Sequence, residues 1–284
     1  MNILSFDIEE WFHILDKSDS NDKAAWKSFP SRIDNNVNRI LNILDEYELK
    51  ATFFCLGWIG EKYPDVIKAI SNHGHEIGTH SYDHKLVYQQ TPIDFNNDLK
   101  LSIDILSNLI GKEITSYRAP GFSITKNEKW AFEAMIENNI QIDTSIFPAK
   151  RAHGGFEEFE SCEPSIIKTN SGEIKVFPMN THSLFGFNFV YSGGGYFRFI
   201  PYKIIKSLTK KSNYVMTYFH PRDFDDSQPM VPNLSVFRKF KSYYGLKGAE
   251  KKLRSYLDDF DFVSLGQADK EIHWESAPNF DLSG

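Results

Sequence analysis

The 284-residue sequence is poor in cysteine and has no long apolar run. Its two cysteines, Cys55 in the apolar stretch 52–56 and Cys162 in a polar stretch, are too few for a disulfide framework or a thiolate zinc site. No stretch approaches the roughly 18 consecutive apolar residues of a membrane-spanning helix. The chain also starts without a charged segment followed by an apolar run, so we expect no signal peptide and a cytoplasmic protein.

Basic charge is also scarce. The net charge is −6 and no long basic run occurs, which argues against nucleic acid or an anionic membrane surface as a partner. The sequence lacks a Gly-x-Ser-x-Gly nucleophile elbow, a phosphate-binding loop and a dinucleotide fingerprint. The triple glycine at 193–195 is not followed by Lys-Ser/Thr and is more typical of a tight turn. Aromatic residues, in contrast, make up 15% of the chain and must be buried or used for binding.

Strand-like and helix-like segments alternate along most of the chain. This alternation predicts an α/β protein with a parallel sheet, either closed or doubly wound. Strands are predicted at 2–7, 51–55, 75–79, 114–118, 140–143, 214–219 and 260–265, and helices begin near 31, 64, 91, 125 and 246. Ser31 and Asp34 predict a capping box on the first helix.

Residues 149–200 break this alternation and are rich in aromatic residues. We predict an aromatic-rich insertion over the mouth of the sheet and a single domain over residues 1–284. Phe185, Phe187, Phe189 and Tyr191 alternate, which would place them on one face of a strand, either to bind a ligand or to pack in the core.

Two groups of potential metal ligands follow predicted strands, where active sites of α/β proteins form. Asp7 and Glu9 would share a strand face while Ile8 points away, which suits a metal ligand plus a general base; the alternative is a solvated acidic loop. His80 and His84 are four apart, so one helical turn would place both imidazoles where they can hold one Zn²⁺ at about 2.0–2.1 Å; the alternative is a surface pair.

Three further strand ends carry polar residues. Arg118 precedes the turn at Pro120 and Gly121, where a backbone N–H can face a pocket and Arg118 can pair with a buried carboxylate. Asp143 follows the fifth strand and can orient a histidine, although an ordinary strand end explains it as well. His220 leaves an apolar strand directly before a proline and can act as a general acid, or it can simply bond to the backbone.

Taken in order, these segments resemble the five motifs of the polysaccharide deacetylases with NodB homology, a carbohydrate esterase family. That family has Thr-Phe-Asp-Asp, His-Ser/Thr-x-x-His, Arg-x-Pro-Tyr, an Asp followed by an aromatic residue, and a hydrophobic pair ending in His. The corresponding residues here are Ser5-Phe6-Asp7-Ile8, His80 to His84, Arg118-Ala-Pro-Gly121, Asp143 with Phe147, and Tyr218-Phe-His220. The resemblance covers nearly the whole chain.

The resemblance implies a distorted (β/α) barrel of about seven strands and a metal-dependent hydrolase that removes N-acetyl groups from a polysaccharide or another N-acetylated sugar. A divalent metal, Zn²⁺ by analogy, would be held by His80, His84 and one carboxylate. Asp7 would act as base, steadied by Arg118. His220, oriented by Asp143, would act as acid, and the N–H of Gly121 would help to hold the oxyanion.

The first motif departs from the family pattern, because its usual metal carboxylate is replaced by Ile8. Glu9 is the substitute that strand alternation favours, since it shares a face with Asp7. The opposite assignment, with Asp7 as ligand and the base elsewhere, Glu10 first, stays open at this point.

Further segments resemble the exopolysaccharide-locus branch of this family: Phe6-Asp-Ile-Glu-Glu-Trp-Phe, Gly194-Gly-Tyr-Phe-Arg198 and a C-terminal segment at about 221–270. Two alternatives remain. One is hydrolysis of a different carbon–nitrogen amide or a cyclic imide on the same barrel, which a small closed pocket would favour. The other is a carbohydrate-binding protein without metal, for which Ile8 is the hint.

Overall fold

The computed structural model describes residues 1–14, 26–149, 153–184, 187–231 and 234–283. Its main sheet has eight strands in the order β12–β7–β8–β6–β5–β4–β3–β2, and all neighbours are parallel except β7 and β8. The strands are β1 (Asn2–Ile3), β2 (Ser5–Ile8), β3 (Thr52–Cys55), β4 (Glu76–Thr79), β5 (Ser116–Tyr117), β6 (Ile142–Asp143), β7 (Ser165–Thr169), β8 (Gly172–Val176), β9 (His182–Leu184), β10 (Phe187–Phe189), β11 (Val215–Met216) and β12 (Asn279–Asp281).

Helices follow most of the parallel strands. They are α1 (Ile33–Glu46), α2 (Gly57–Lys62), α3 (Pro64–Asn72), α4 (Pro92–Ile110), α5 (Trp130–Glu137), α6 (Gly194–Phe199), α7 (Tyr202–Lys211), α8 (Val236–Tyr243), α9 (Leu246–Asp259) and α10 (Leu265–Glu271). The hydroxyl of Thr91 accepts from the N–H of Asp94 to cap α4, and Gly111 ends that helix at φ +65°. None of the described helices combines the length and the apolar character needed to cross a bilayer.

The start of α1 is capped from a distance. The predicted capping box of Ser31 and Asp34 is wrong, because Oε1 of Glu10 accepts hydrogen bonds from the N–H groups of Arg32 (3.0 Å) and Ile33 (3.2 Å) and from the hydroxyl of Ser31. A carboxylate at a helix N-terminus satisfies free N–H groups and interacts favourably with the helix dipole. Glu10, which follows β2, therefore has a structural role as the N-terminal cap of α1.

The sheet curls towards a barrel without forming a continuous closed ladder among the described residues. Next to β2, Phe6 forms a parallel bridge with Phe219, and Tyr218 forms one with Gly193. Strand β1 pairs with β11. The predicted strand at 260–265 contributes a single bridge between Val263 and Ile3, whereas β12 was not predicted. The predicted α/β class and barrel-like parallel sheet are confirmed.

Part of the segment 149–200 belongs to the main sheet and is not an insertion over its mouth. The hairpin of β7 and β8 extends the main sheet, because β8 pairs in parallel with β6. Of the four alternating aromatic residues, Tyr191 is fully buried and Phe189 packs against the core, whereas Phe185 lies outside the described residues. Part of this segment is therefore scaffold, and at Phe189 and Tyr191 packing in the core is what the structure shows.

Candidate functional site

A pocket of about 170 Å³ lies where β2, β4 and β5 end. The carboxyl ends of parallel strands meet at one edge of a sheet, so residues distant in sequence converge there. Six of the predicted site residues line this pocket: Asp7, Glu9, His80, His84, Gly121 and His220. Arg118 and Asp143 are fully buried behind it.

At the end of β2, successive side chains face opposite sides, as they do in any strand. Asp7 and Glu9 both face the pocket, and Ile8 between them is fully buried in the apolar core. Glu10 faces away from the pocket and caps α1. The predicted shared face of Asp7 and Glu9 is therefore present.

Glu9 meets both histidines. Its Oε1 lies 3.0 Å from Nε2 of His80 and 2.8 Å from Nε2 of His84. These three side chains are the group of potential metal ligands found among the described residues, with ligand atoms within 4.8 Å of one another. All three are buried, so water competes little for the same ligand atoms. Nearby histidine charges, against the opposing effect of burial, hold the pKa of Glu9 well below its usual value.

The backbone brings the histidines together in a way the sequence did not predict. Residues 80–84 form a loop, not a helical turn, with Ser81 at φ +71° and His84 at φ +62°. Such left-handed residues are costly without a glycine and need support from their surroundings. Here the N–H of Gly57 donates to the carbonyl of Ser81 (2.9 Å), and the N–H of His84 donates to the hydroxyl of Ser81 (3.1 Å).

A hydrogen bond fixes the tautomer of His80. Its Nδ1 lies 2.7 Å from the carbonyl oxygen of Arg118. A carbonyl can only accept, so Nδ1 donates to it, and Nε2 is the ring nitrogen left to face Glu9 and to offer a lone pair to a metal ion. Two imidazole nitrogens and one carboxylate oxygen form a donor set that suits a divalent transition metal. The residues present therefore fit a metal ion.

Arg118 holds Asp7. Its Nη1 donates to Oδ1 of Asp7 (2.7 Å), its Nε donates to the hydroxyl of Thr144 (3.0 Å), and its guanidinium carbon lies 4.2 Å from the ring centroid of Phe54. Both members of the ion pair are buried. The predicted pairing of Arg118 with a buried carboxylate is present, and it fixes the orientation of Asp7.

The hydrogen-bond partner of His220 is Asp223, and the predicted partner Asp143 is a wrong assignment. Nδ1 of His220 lies 3.0 Å from Oδ2 of Asp223, which also accepts from the backbone N–H of His220 (2.9 Å). Asp143 instead accepts from the N–H of Ser145 (3.0 Å) and from its hydroxyl, and burial raises the pKa of Asp143 to about 7. The signal for Asp223 was its spacing of three residues from His220 across Pro221.

The other ring nitrogen of His220 faces the two carboxylates of β2. Its Nε2 lies 3.9 Å from both Oδ2 of Asp7 and Oε1 of Glu9. Burial lowers the pKa of His220, but Glu9 and Asp223 outweigh it and raise the value to about 9. Arg198 Nε lies 3.1 Å from Asp223 Oδ1, and the pKa of Asp223 falls to about 2 because His220 and Arg198 overcome the effect of burial. With a pKa of about 9, His220 is protonated at neutral pH.

Gly121 and His13 complete the wall of the pocket. Gly121 lies in the turn Pro120–Phe122 at φ +63°, a conformation that glycine adopts without strain. His13 was not predicted as a site residue; it is buried beside His84 with a ring-centroid distance of 5.8 Å. The N–H of Glu10 donates to His13 Nδ1 (3.3 Å), and burial holds the pKa of His13 well below its usual value. His13 is thus a neutral ring in the pocket wall, with its proton on Nε2.

Comparison with known protein families gives two partial matches. Residues 17–135 match the family described as polysaccharide deacetylase, which includes His80, His84 and Arg118. This match covers less than half of the chain. Residues 144–270 match a domain of unknown function, DUF3473, which includes His220 and Asp223. The paired residues Asp7 and Glu9 precede both matched ranges.

Curated deacetylases are similar to parts of the chain. A peptidoglycan-N-acetylglucosamine deacetylase of Bacillus cereus is 38% identical over 96 residues, which are 34% of this chain and 35% of that protein. A peptidoglycan deacetylase of Helicobacter pylori is 26% identical over 136 residues, which are 48% of this chain and 45% of that protein. The chain thus spans less than half of the length of these relatives.

One solved structure shows the same fold over nearly the whole length. A candidate polysaccharide deacetylase from Mycobacterium smegmatis superposes with a TM-score of 0.69 at 16% identity, covering 100% of this chain and 93% of that one. This likeness supports the α/β barrel architecture. The exopolysaccharide-locus branch stays a prediction.

Proposed function

We propose that this protein hydrolyses N-acetyl groups on an N-acetylated sugar, with a polysaccharide as the natural substrate. The observation that carries the proposal is the convergence of Glu9, His80 and His84, as metal ligands, with Asp7 and His220 in one pocket. The names of the relatives support the same chemistry on N-acetylated glycans.

The metal site has a defined task in this proposal. The ion, which we propose to be Zn²⁺, would be held by Glu9, His80 and His84, and when bound it supplies Lewis acidity towards a carbonyl oxygen and towards water. The hydrogen bond from His80 Nδ1 to the Arg118 carbonyl orients that ligand.

Asp7 is the base. Arg118 binds its Oδ1 at 2.7 Å, while Oδ2 faces the pocket on the side of His220. The carboxylate takes one proton from the water that attacks the acetyl carbon, and the ion pair with Arg118 keeps it oriented until that step. The N–H of Gly121 donates to the oxygen that becomes negative as the carbonyl carbon turns tetrahedral.

His220 is the acid. Asp223 accepts from its Nδ1, so the proton available for transfer lies on Nε2, which faces the pocket. An amine leaves poorly as an anion, so the breaking C–N bond needs this proton on the nitrogen. The products are the sugar amine and acetic acid, which gives its proton to the amine and leaves as acetate. The proton on Asp7 then passes to Nε2 of His220, 3.9 Å from Oδ2, which restores the carboxylate and the protonated histidine.

Acetate release from a hexamer of N-acetylglucosamine tests the proposal. The zinc-loaded protein should release acetate and lose this activity on chelation, and Asp7→Asn should abolish turnover while keeping zinc, because an amide cannot take the proton. Glu10→Gln, one residue beyond Glu9 and outside the pocket lining, is the matched control and should remain active. Release of acetate at equal rates by wild type and Asp7→Asn would overturn the assignment of the base. Hydrolysis of a cyclic imide with no action on the hexamer would favour the alternative activity.

A further inference from the structure

A cluster of exposed aromatic side chains lies beside the pocket, in the segment that matches the domain of unknown function. We call it the aromatic groove; it holds about 180 Å³. Its rings and their exposed fractions are Tyr196 (36%), Phe199 (57%), Phe237 (76%), Phe240 (46%) and Tyr244 (51%). Exposed apolar side chains concentrated in one concave place mark an interaction site more often than isolated ones do.

The aromatic groove is continuous with the pocket. Gly195, Tyr196 and Lys241 line both of them. A ligand that extends out of the pocket past Gly195 therefore reaches the rings of Phe199 and Phe237 without leaving the surface.

Three of the five rings, Phe199, Phe240 and Tyr244, pack against one another. The centroid of the Phe240 ring lies 4.7 Å from that of Tyr244 and 5.9 Å from that of Phe199. Close approach of α6 and α8 allows this, because a Cβ on Gly195 would lie only 3.0 Å from the carbonyl oxygen of Lys241. These three rings are therefore in place before any ligand arrives, which lowers the entropic cost of binding against them.

Arg198 connects the aromatic groove to His220, the proposed general acid. Its Nη1 donates to the carbonyl of Tyr244 (2.7 Å) and its Nη2 to that of Lys241 (3.0 Å), at the end of α8. Its Nε lies 3.1 Å from the carboxylate of Asp223, which binds His220. One buried side chain thus sets the distance between the wall of the groove and the proton donor.

We propose that the aromatic groove binds sugar rings adjacent to the N-acetylated sugar in the pocket, so that the protein prefers oligomeric or polymeric glycans over short ones. The proposal rests on the proposed function. Aromatic faces pack against the apolar C–H faces of sugar rings, and continuity with the pocket places neighbouring units of one glycan chain there. The groove is concave and shares its lining with the pocket, which favours a chain-like glycan that occupies both over a flat lipid surface.

Kinetics on two lengths of one glycan test the proposal. Phe237→Ala should raise KM for the N-acetylglucosamine hexamer about 3- to 10-fold, the range expected for one lost aromatic contact, and change it less than about 2-fold for the dimer. Phe237 is 76% exposed, so its loss should not disturb folding. Val236→Ala is the control, because Val236 is 86% exposed on the same helix and does not line the groove. Equal effects of Phe237→Ala on both lengths, or no effect on either, would overturn the proposal.

Binding without turnover separates this proposal from the proposed function. Calorimetry on zinc-loaded Asp7→Asn should show tighter binding of the hexamer than of the dimer, and adding Phe237→Ala should remove the difference. If the hexamer binds through the groove but no variant releases acetate, the proposed function fails and the groove assignment stands. If the hexamer binds no tighter than the dimer, the groove assignment fails. Should Phe237→Ala instead reduce binding to phosphatidylglycerol vesicles or self-association, with hexamer affinity unchanged, the groove serves a lipid surface or a second copy and the proposal is wrong.

Discussion

Replacing Glu9 by glutamine tests the metal site at its anionic ligand. Glutamine keeps the length of the side chain and an oxygen near both Nε2 atoms, which lie 3.0 and 2.8 Å from the carboxylate. It removes the negative charge between two imidazoles. Loss of an outer-shell partner alone lowers metal affinity about 10- to 100-fold, so loss of a ligand charge should lower zinc affinity by more than about 100-fold.

The same change has a predictable effect on thermal stability. Zinc at about 100 times its Kd stabilises the wild type by about 2.7 kcal/mol, whereas a variant that binds about 100-fold more weakly gains only about 0.4 kcal/mol at that concentration. The difference of roughly 2 kcal/mol corresponds to a Tm change of about 5 °C for a domain of this size. In a thermal scan without zinc, neither the wild type nor Glu9→Gln gains this stabilisation.

Competition with a chromophoric chelator gives the affinity, and a thermal scan with and without zinc gives the stabilisation. Glu10→Gln and Asp7→Asn are the controls and should bind zinc within a few-fold of wild type, because Glu10 caps α1 and Asp7 pairs with Arg118. If Asp7→Asn loses zinc and Glu9→Gln retains it, Asp7 is the ligand and the reasoning is refuted. The base would then lie elsewhere, and not at Glu10, which is outside the pocket lining.

Three further changes have defined outcomes. His220→Ala should keep its zinc and lose about 10²- to 10⁴-fold in turnover, and loss of zinc would show that His220 is a ligand. Glu10→Ala should lower the free energy of unfolding by about 1–2 kcal/mol in urea titrations, since it uncaps α1; an unchanged value would contradict the cap. Burial lowers the pKa of His75 to about 4, so the unfolded state takes up the proton first and the free energy of unfolding falls as the pH drops from about 6.5 to 4. His75→Asn should remove about 2–3 kcal/mol of that pH dependence. Equal dependence of the free energy of unfolding on pH in the wild type and in His75→Asn would refute this assignment.

Local periodicity predicted most of the scaffold and the polar face of the first strand. Alternation along β2 placed Asp7 and Glu9 together and Ile8 in the core, because side-chain direction in a strand depends on nothing beyond the strand itself. The same holds for α4, whose start at Thr91 and end at Gly111 follow from the properties of those residues.

Features set by distant contacts were not predictable. His80 and His84 converge through left-handed residues in a loop, which bonds from Gly57 and Ser81 support, and no local pattern signals that geometry. The cap of α1 comes from Glu10, separated from Arg32 by 22 residues. The error at Asp143 was of another kind, since the carboxylate that binds His220 was visible in the sequence three residues later, at Asp223.

The segment 149–200 shows how an irregular pattern conceals a regular element. Ile167 in β7 and Ile174 and Val176 in β8 alternate towards the core, but turn residues and scattered aromatics obscured that pattern. The pairing of β7 with β12 joins residues more than 100 apart in sequence and depends on the assembled sheet.

The position of Glu9 links metal retention to the alignment of the first three strands of the sheet. Glu9 follows β2, both histidines follow β4, and β3 lies between these strands. Shifting β2 by one residue against β3 would turn Ile8 towards the histidines and Glu9 towards the core, because neighbouring strand residues face opposite sides. A chain misaligned in this way would have two imidazoles and no carboxylate between them. Under the proposed function, the metal content of a preparation, read together with its total protein, would measure the fraction of molecules whose sheet assembled correctly.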